Sequence, residues 1–180
     1  KHYPIGSELR EVKTKGRKLF KLQTYLIIKG GYTMNKINKG LFTSNSNEWA
    51  TPQKLFDELN KQFHFTVDVC ATPDNAKCEA YFTKEDDGLS KEWHGVCFMN
   101  PPYGTEISKW VKKAYEESFK NDCTVVALLP ARTCTKYFHD YIYNKSEIHF
   151  IKGRLKFNDA KGAAPFPSMI VIWNNKRRII

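Results

Sequence analysis

The short apolar run Val96-Cys97-Phe98-Met99 is followed at once by Asn100-Pro101-Pro102-Tyr103 and then by Gly104. Each proline lacks an N–H and has its φ locked by the ring, so two in succession cannot continue a sheet ladder. The run therefore reads as a buried strand ending in a stiff turn. Strands of this kind belong to α/β sheets, which bind ligands in the crevice outside the carboxyl ends of their strands. The turn carries suitable chemistry for such a place. Asn100 offers a neutral amide acceptor, the prolines offer carbonyls without a competing N–H, and Tyr103 offers a flat face. Together they suit a planar nitrogen group. A bare Pro-Pro would only end a strand; the asparagine, the aromatic and the apolar run make the segment a candidate site.

The surrounding sequence alternates helix and strand patterns, as an α/β sheet requires. Thr51-Pro52 caps a helix with proline in its first turn, and Leu55, Phe56, Leu59 and Phe63 recur on one face. Residues 65–69 form a first strand. Residues 70–95 are rich in Asp, Asn, Gly and Lys, which predicts a long loop with a short strand near Tyr81-Phe82. Long loops inside small domains are usually functional. Further on, the pattern predicts a helix over 106–119, with Ile107, Trp110, Val111 and Ala114 at helical spacing, and a central strand over 124–129 stopped by Pro130. A helix over 135–143 follows, then strands near 148–151 and 169–173 on either side of a Gly/Pro-rich excursion. The expected fold is α/β, a mostly parallel sheet with helices on both faces.

At 180 residues and 41% hydrophobic, the chain can build one domain with a real core. It has no apolar run long enough to span a bilayer and no signal-peptide pattern at its start, which predicts a soluble intracellular protein. The five cysteines, Cys70, Cys78, Cys97, Cys123 and Cys134, are odd in number and include no Cys-x-x-Cys pair. Neither a disulfide framework nor a zinc site is indicated. Cys97 and Cys123 fall in apolar runs and read as core thiols.

The net charge of +10 invites a nucleic-acid reading, but the charge is unevenly spread. Residues 1–33 hold eight Lys/Arg against Glu8 and Glu11, a net +6, which leaves only +4 for residues 34–180. Lys29-Gly30-Gly31 followed by Met34 can be encoded by a purine-rich ribosome-binding site and a start codon, so Met34 is the expected start and residues 1–33 are set aside from the fold. The alternative is a basic arm that binds DNA phosphates. Residues 1–46 are expected to form a flexible basic leader, since 34–47 are too rich in Asn, Ser, Gly and Lys to build a core. The domain is expected over 47–175, with order beginning at Trp49.

Asn100-Pro101-Pro102-Tyr103 resembles the catalytic motif of S-adenosylmethionine-dependent amino-methyltransferases. Its surroundings are more specific. Asn47-Glu48-Trp49-Ala50-Thr51-Pro52, Asp68-Val69-Cys70-Ala71-Thr72, Tyr81-Phe82-Thr83, Asp86-Asp87-Gly88-Leu89 and Ala164-Pro165-Phe166-Pro167-Ser168 resemble the phage DNA N-6-adenine-methyltransferase family. The resemblance runs from about Asn47 to Trp173, and Val69 departs from it where proline is expected. It implies a compact Rossmann-like class I methyltransferase that uses S-adenosyl-L-methionine, acts on double-stranded DNA without a metal, and is encoded by a phage or prophage in a bacterial cytoplasm, as in restriction-modification. It also implies that Thr51 and Pro52 cover the methionine carboxylate, and that the segment Asp68, Cys70, Ala71 replaces a glycine-rich loop. One of Asp86 and Asp87 would meet the cofactor's adenine, with Leu89 on the purine face. Read without the resemblance, Asp68 can equally cap the next turn, and the acidic turn can simply be solvated.

In that setting an exocyclic adenine amine, planar and delocalised, is a poor nucleophile until acceptors hold its N–H groups. Asn100 Oδ1 and the Pro101 carbonyl can do so while Tyr103 stacks on the flipped base. RNA bases and protein glutamine are alternative acceptors for the same tetrapeptide, and a non-catalytic nucleic-acid-binding module is the alternative of another class. Arg154, Lys156 and Lys161, interleaved with Phe157, are the candidate DNA contacts, or else a solvated hairpin.

Overall fold

The computed structural model describes residues 49–120, 123–157 and 162–174. Its first helix, α1 (Gln53–Phe63), leads into β1 (Val67–Asp68), β2 (Ala80–Tyr81) and β3 (Val96–Met99). Next come α2 (Ile107–Glu117), β4 (Thr124–Pro130), α3 (Lys136–Tyr141), β5 (Glu147–Phe150) and β6 (Ser168–Trp173). The six strands form one sheet in the order β2-β1-β3-β4-β6-β5.

The predicted elements are present, with one change of direction. β1 pairs in parallel with β2 and β3, and β3 with β4, but β6 runs antiparallel to both β4 and β5. The sheet is therefore mixed rather than mostly parallel throughout, with β6 as the reversed strand. The reason is local. A parallel partner needs a crossover of a dozen or more residues, usually helical, whereas the described residues between β5 and β6 form no helix and the chain turns straight back.

Period-two alternation distributes the core. Phe98 packs edge-on against Phe56 of α1 and tilted against Phe65. Its neighbours Cys97 and Met99 point the other way, into the buried cluster that includes Val111 and Ala114 of α2. β4 is buried from Val125 to Pro130 and β6 along its whole length, as expected for central strands. The Cys97 and Cys123 sulfurs lie 3.6 Å apart inside this core as free thiols. No described helix is long and apolar enough to cross a membrane, and the described residues hold no His/Cys/Asp/Glu group suited to a metal ion.

Candidate active site

β1 and β3 end side by side, with Asp68 opposite Phe98, and their carboxyl ends open onto a cavity of about 660 Å3. Asn100, Pro101 and Pro102 line it with Thr51, Asp68, Cys70, Ala71, Asp87 and Leu89. Segments far apart in sequence thus meet where the strand-ending turn was expected to act.

Asn100 is held by its amide nitrogen. Nδ2 donates to the Trp49 carbonyl at 2.5 Å and to Thr51 Oγ1 at 2.9 Å. A carbonyl only accepts, so the nitrogen must face Trp49 and the orientation of the amide is determined. Oδ1 is left buried without a hydrogen-bond partner among the described residues. A buried acceptor in that state costs roughly 1–3 kcal/mol, which a donor brought to it would remove.

Thr51 is buried for this contact and does not cap α1; no side chain caps that helix, and Pro52 occupies the N-cap position. Pro52 itself is not part of the cavity wall, so of the expected pair only Thr51 is at the site.

Asp68 is 3% exposed. Its Oδ1 accepts the Cys70 N–H at 3.3 Å and its Oδ2 the Lys77 N–H at 3.2 Å, so it does cap the following turn while also facing the cavity. Burial pushes its pKa up to about 6, against the pull of those two N–H groups and of Lys77. The sign follows from linkage. Asp68 contributes most to stability below its ordinary value of 3.8, and that contribution is lost as pH rises through about 6.

The acidic turn separates its two aspartates. Asp86 accepts the Thr83 N–H and hydroxyl, each at 2.8 Å, and points away from the cavity; the Thr83 N–H is the main cause of its lowered pKa. Asp87, at φ 51°, lines the cavity with Leu89. Gly88 makes this placement possible, since a Cβ there would lie 2.3 Å from the Val69 carbonyl oxygen. The turn is also anchored from behind. Trp93 Nε1 donates to the Gly88 carbonyl at 2.8 Å, and the Trp93 backbone N–H donates to the fully buried Glu117 at 3.1 Å. Glu117 also accepts Lys113 at 2.8 Å and Lys120 at 3.1 Å.

Tyr103 departs from expectation. It is 5% exposed, its hydroxyl donates to the Leu128 carbonyl at 3.1 Å, and its ring meets Phe157 and Phe166 edge-on. It presents no face to the cavity, because the double-proline turn exposes Pro102 and sends the next side chain back into the core. Arg154 and Lys156 are exposed outside the cavity, and Arg154 Nη1 donates to the Ala164 carbonyl at 3.2 Å. Lys161 lies outside the described residues, as does the whole 1–46 leader with Met34.

Sequence reasoning missed Trp49, Lys77 and Trp110 as cavity residues. Trp110 was legible only as one apolar position of α2, and Trp49 only as the start of order. Nothing in the sequence distinguishes Lys77 from other lysines of a polar loop.

Comparison with known proteins decides the family. The profile described as DNA N-6-adenine-methyltransferase (Dam) matches residues 40–180. The chain belongs to the DNA N-6-adenine-methyltransferase family. A DNA N-6-adenine-methyltransferase of Haemophilus phage HP1 is 33% identical over 142 residues, covering 74% of this chain and 82% of the relative. The DNA N-6-adenine-methyltransferase of Escherichia phage T1 is 30% identical over 110 residues, covering 59% of this chain and 45% of the phage protein. The family match includes every described segment that forms the cavity wall.

Proposed function

We propose that the cavity binds S-adenosylmethionine and brings it to an adenine amine of duplex DNA at the Asn100 turn. As a member of its family, the chain is an adenine-N6 DNA methyltransferase, and we take residues 47–175 as its proposed catalytic domain. The observation that carries the site reading is the fixed amide of Asn100 with its buried, unpartnered Oδ1. That atom accepts one N–H of the exocyclic amine, and the Pro101 carbonyl accepts the other. Both contacts draw the nitrogen from planar toward pyramidal and return its lone pair for attack. No base is required beforehand, since the amine's proton becomes acidic only once the nitrogen carries its new methyl group.

When bound, S-adenosylmethionine supplies the methyl group as a sulfonium electrophile, and the protein supplies alignment and electrostatics. Its ammonium falls to Asp68, the small residues Cys70 and Ala71 admit it close to the backbone, and Asp87 and Leu89 receive its adenine. The five strands that share one direction, with β6 reversed among them, suit a Rossmann-like class I methyltransferase. With Tyr103 buried, the aromatics of the cavity wall are Trp49, Phe98 and Trp110, of which Trp49 meets Asn100 through its carbonyl. Arg154, Lys156 and Lys161 are the proposed DNA contacts, and the phage relatives point to action in a bacterial host cell.

The deciding experiment is transfer of labelled methyl from S-adenosylmethionine to duplex DNA, followed by digestion to nucleosides. N6-methyladenine as the labelled product is expected. Label confined to RNA or to glutamine side chains, or cofactor binding without transfer, would overturn the assignment in favour of the corresponding alternative.

Asp68 gives a pH signature. Only its ionised form attracts the cofactor's ammonium, so affinity for S-adenosylhomocysteine is expected to rise from about pH 5 to about pH 7.5, with proton release greatest near pH 6. Calorimetry in buffers of different ionisation enthalpy measures both quantities. Asp68→Asn should flatten the profile; a flat profile in the wild type would remove Asp68 from this role.

A further inference from the structure

Asp68 and Lys77, residues of opposite charge, both line the same cavity. The Lys77 backbone N–H donates to Asp68 Oδ2 at 3.2 Å, so the two residues are tied together through the main chain. The lysine side chain runs instead to α1, where its ammonium donates to Gln53 Oε1 at 2.8 Å. Gln53 Nε2 in turn donates to Asp57 Oδ1 at 2.8 Å, which fixes the Gln53 amide with its oxygen toward the lysine. An ammonium carries three donors, and Gln53, which is uncharged, engages one of them. The lysine ammonium is thus positioned by a neutral partner rather than by a carboxylate.

We propose that Lys77 binds the carboxylate of the cofactor's amino-acid head, forming with Asp68 a charge pair matched to a zwitterion. This rests on the reading of the cavity as the S-adenosylmethionine site. The head carries one charge of each sign on a single carbon, so a site that grips its ammonium necessarily brings its carboxylate close. Near Asp68 alone that carboxylate meets a like charge, which is unfavourable in a buried setting. Lys77 reverses the balance and makes the carboxylate a recognised group. The cavity is then selective for the intact amino acid over the same sulfonium nucleoside without its carboxylate.

The test is calorimetric titration of the full chain with two ligands. S-Adenosylhomocysteine has the whole amino-acid head; decarboxylated S-adenosylmethionine keeps the amine but lacks the carboxylate. Lys77→Ala is expected to weaken S-adenosylhomocysteine by about 10-fold or more, as for loss of a charge-assisted contact, and to leave the decarboxylated ligand unchanged or tighter. Lys77→Arg should restore part of the loss. Equal weakening of both ligands, or unchanged affinity for S-adenosylhomocysteine, would overturn the Lys77 assignment alone. Failure of the wild type to bind S-adenosylhomocysteine at all would overturn the cofactor reading with it.

Discussion

Asn100→Ala is expected to lower single-turnover methyl transfer by on the order of 100- to 1000-fold, the scale on which removal of one preorganised polar group at a reacting centre is felt. The loss should appear in the rate of the chemical step. In the proposed site Oδ1 becomes better satisfied as the nitrogen pyramidalises, so its removal is expected to act on the transition state more than on cofactor binding. Affinity for S-adenosylhomocysteine is expected to change only several-fold, because what the cofactor side loses is the restraint on Trp49 and Thr51. Rapid-quench measurement with labelled cofactor and saturating enzyme separates the two effects. Near-normal transfer would remove Asn100 from the reaction. Loss of cofactor binding in proportion to rate would make it a scaffold for the Trp49–Thr51 segment instead.

The largest effect on stability is expected at Glu117. Its carboxylate is fully buried at the end of α2 and accepts Lys113, the Trp93 N–H and Lys120. Burial alone would raise its pKa, but Lys113, the Trp93 N–H and Lys120 outweigh it and hold the group below its ordinary value of 4.5. Glu117→Ala strands the Trp93 N–H and leaves Lys113 without its partner. Breaking a fully buried pair costs about 3–5 kcal/mol; with Lys113 and Lys120 partly solvated, about 2–3 kcal/mol is expected. Urea unfolding measures it, and Glu117→Gln, which keeps an acceptor without the charge, should lose less. A depressed carboxylate pKa adds stability above the ordinary glutamate range and forfeits it as pH falls through the folded-state value. The difference between wild type and variant should therefore narrow in acid. Hydrogen exchange should also quicken over 83–93, because Trp93 carries the Gly88 carbonyl. An unchanged unfolding midpoint would show that the network contributes nothing net.

Parts of this site were legible in the sequence because they obey local rules. The apolar run 96–99 with its double proline could be little else than a strand and a turn, and the structure places both where they were expected. The loop character of 70–95 was equally plain from its composition. What stayed hidden depends on long-range geometry. The acidic pair Asp86-Asp87 offers two identical carboxylates, and only the approach of Gly88 to Val69 decides which one reaches the cavity. Thr51 has the sequence of a helix cap, yet its hydroxyl is claimed by Asn100, 49 positions away. Tyr103 reads as an exposed aromatic in a polar turn until the carbonyl at Leu128 is there to receive its hydroxyl. The direction of β6 was invisible for the same reason, since a strand's pattern of side chains is identical whichever way it runs.

That reversed strand has a consequence for how such a protein can change over time. Because β5 runs with β4 and β6 against it, the chain leaves β5 and enters β6 at the carboxyl end of β4 and β5, where Phe150 faces Met169 and Pro130 faces Ser168. The described residues between the two strands, 151–157 and 162–167, therefore lie at the same end of the sheet as the Asn100 turn. They bring Phe157 and Phe166 against Trp49 and carry Arg154 and Lys156 outside. The Leu155 carbonyl accepts the Ala164 N–H at 2.8 Å, which pinches the excursion near its base. Closing a longer loop at such a point costs only about 0.6 kcal/mol for each doubling of length. A change in the length of the chain between Leu155 and Ala164 is therefore expected to leave the sheet register as it is. The tolerance has a limit at Phe157, which is buried against Trp49 and Tyr103 and so ties the base of the excursion to the wall of the site.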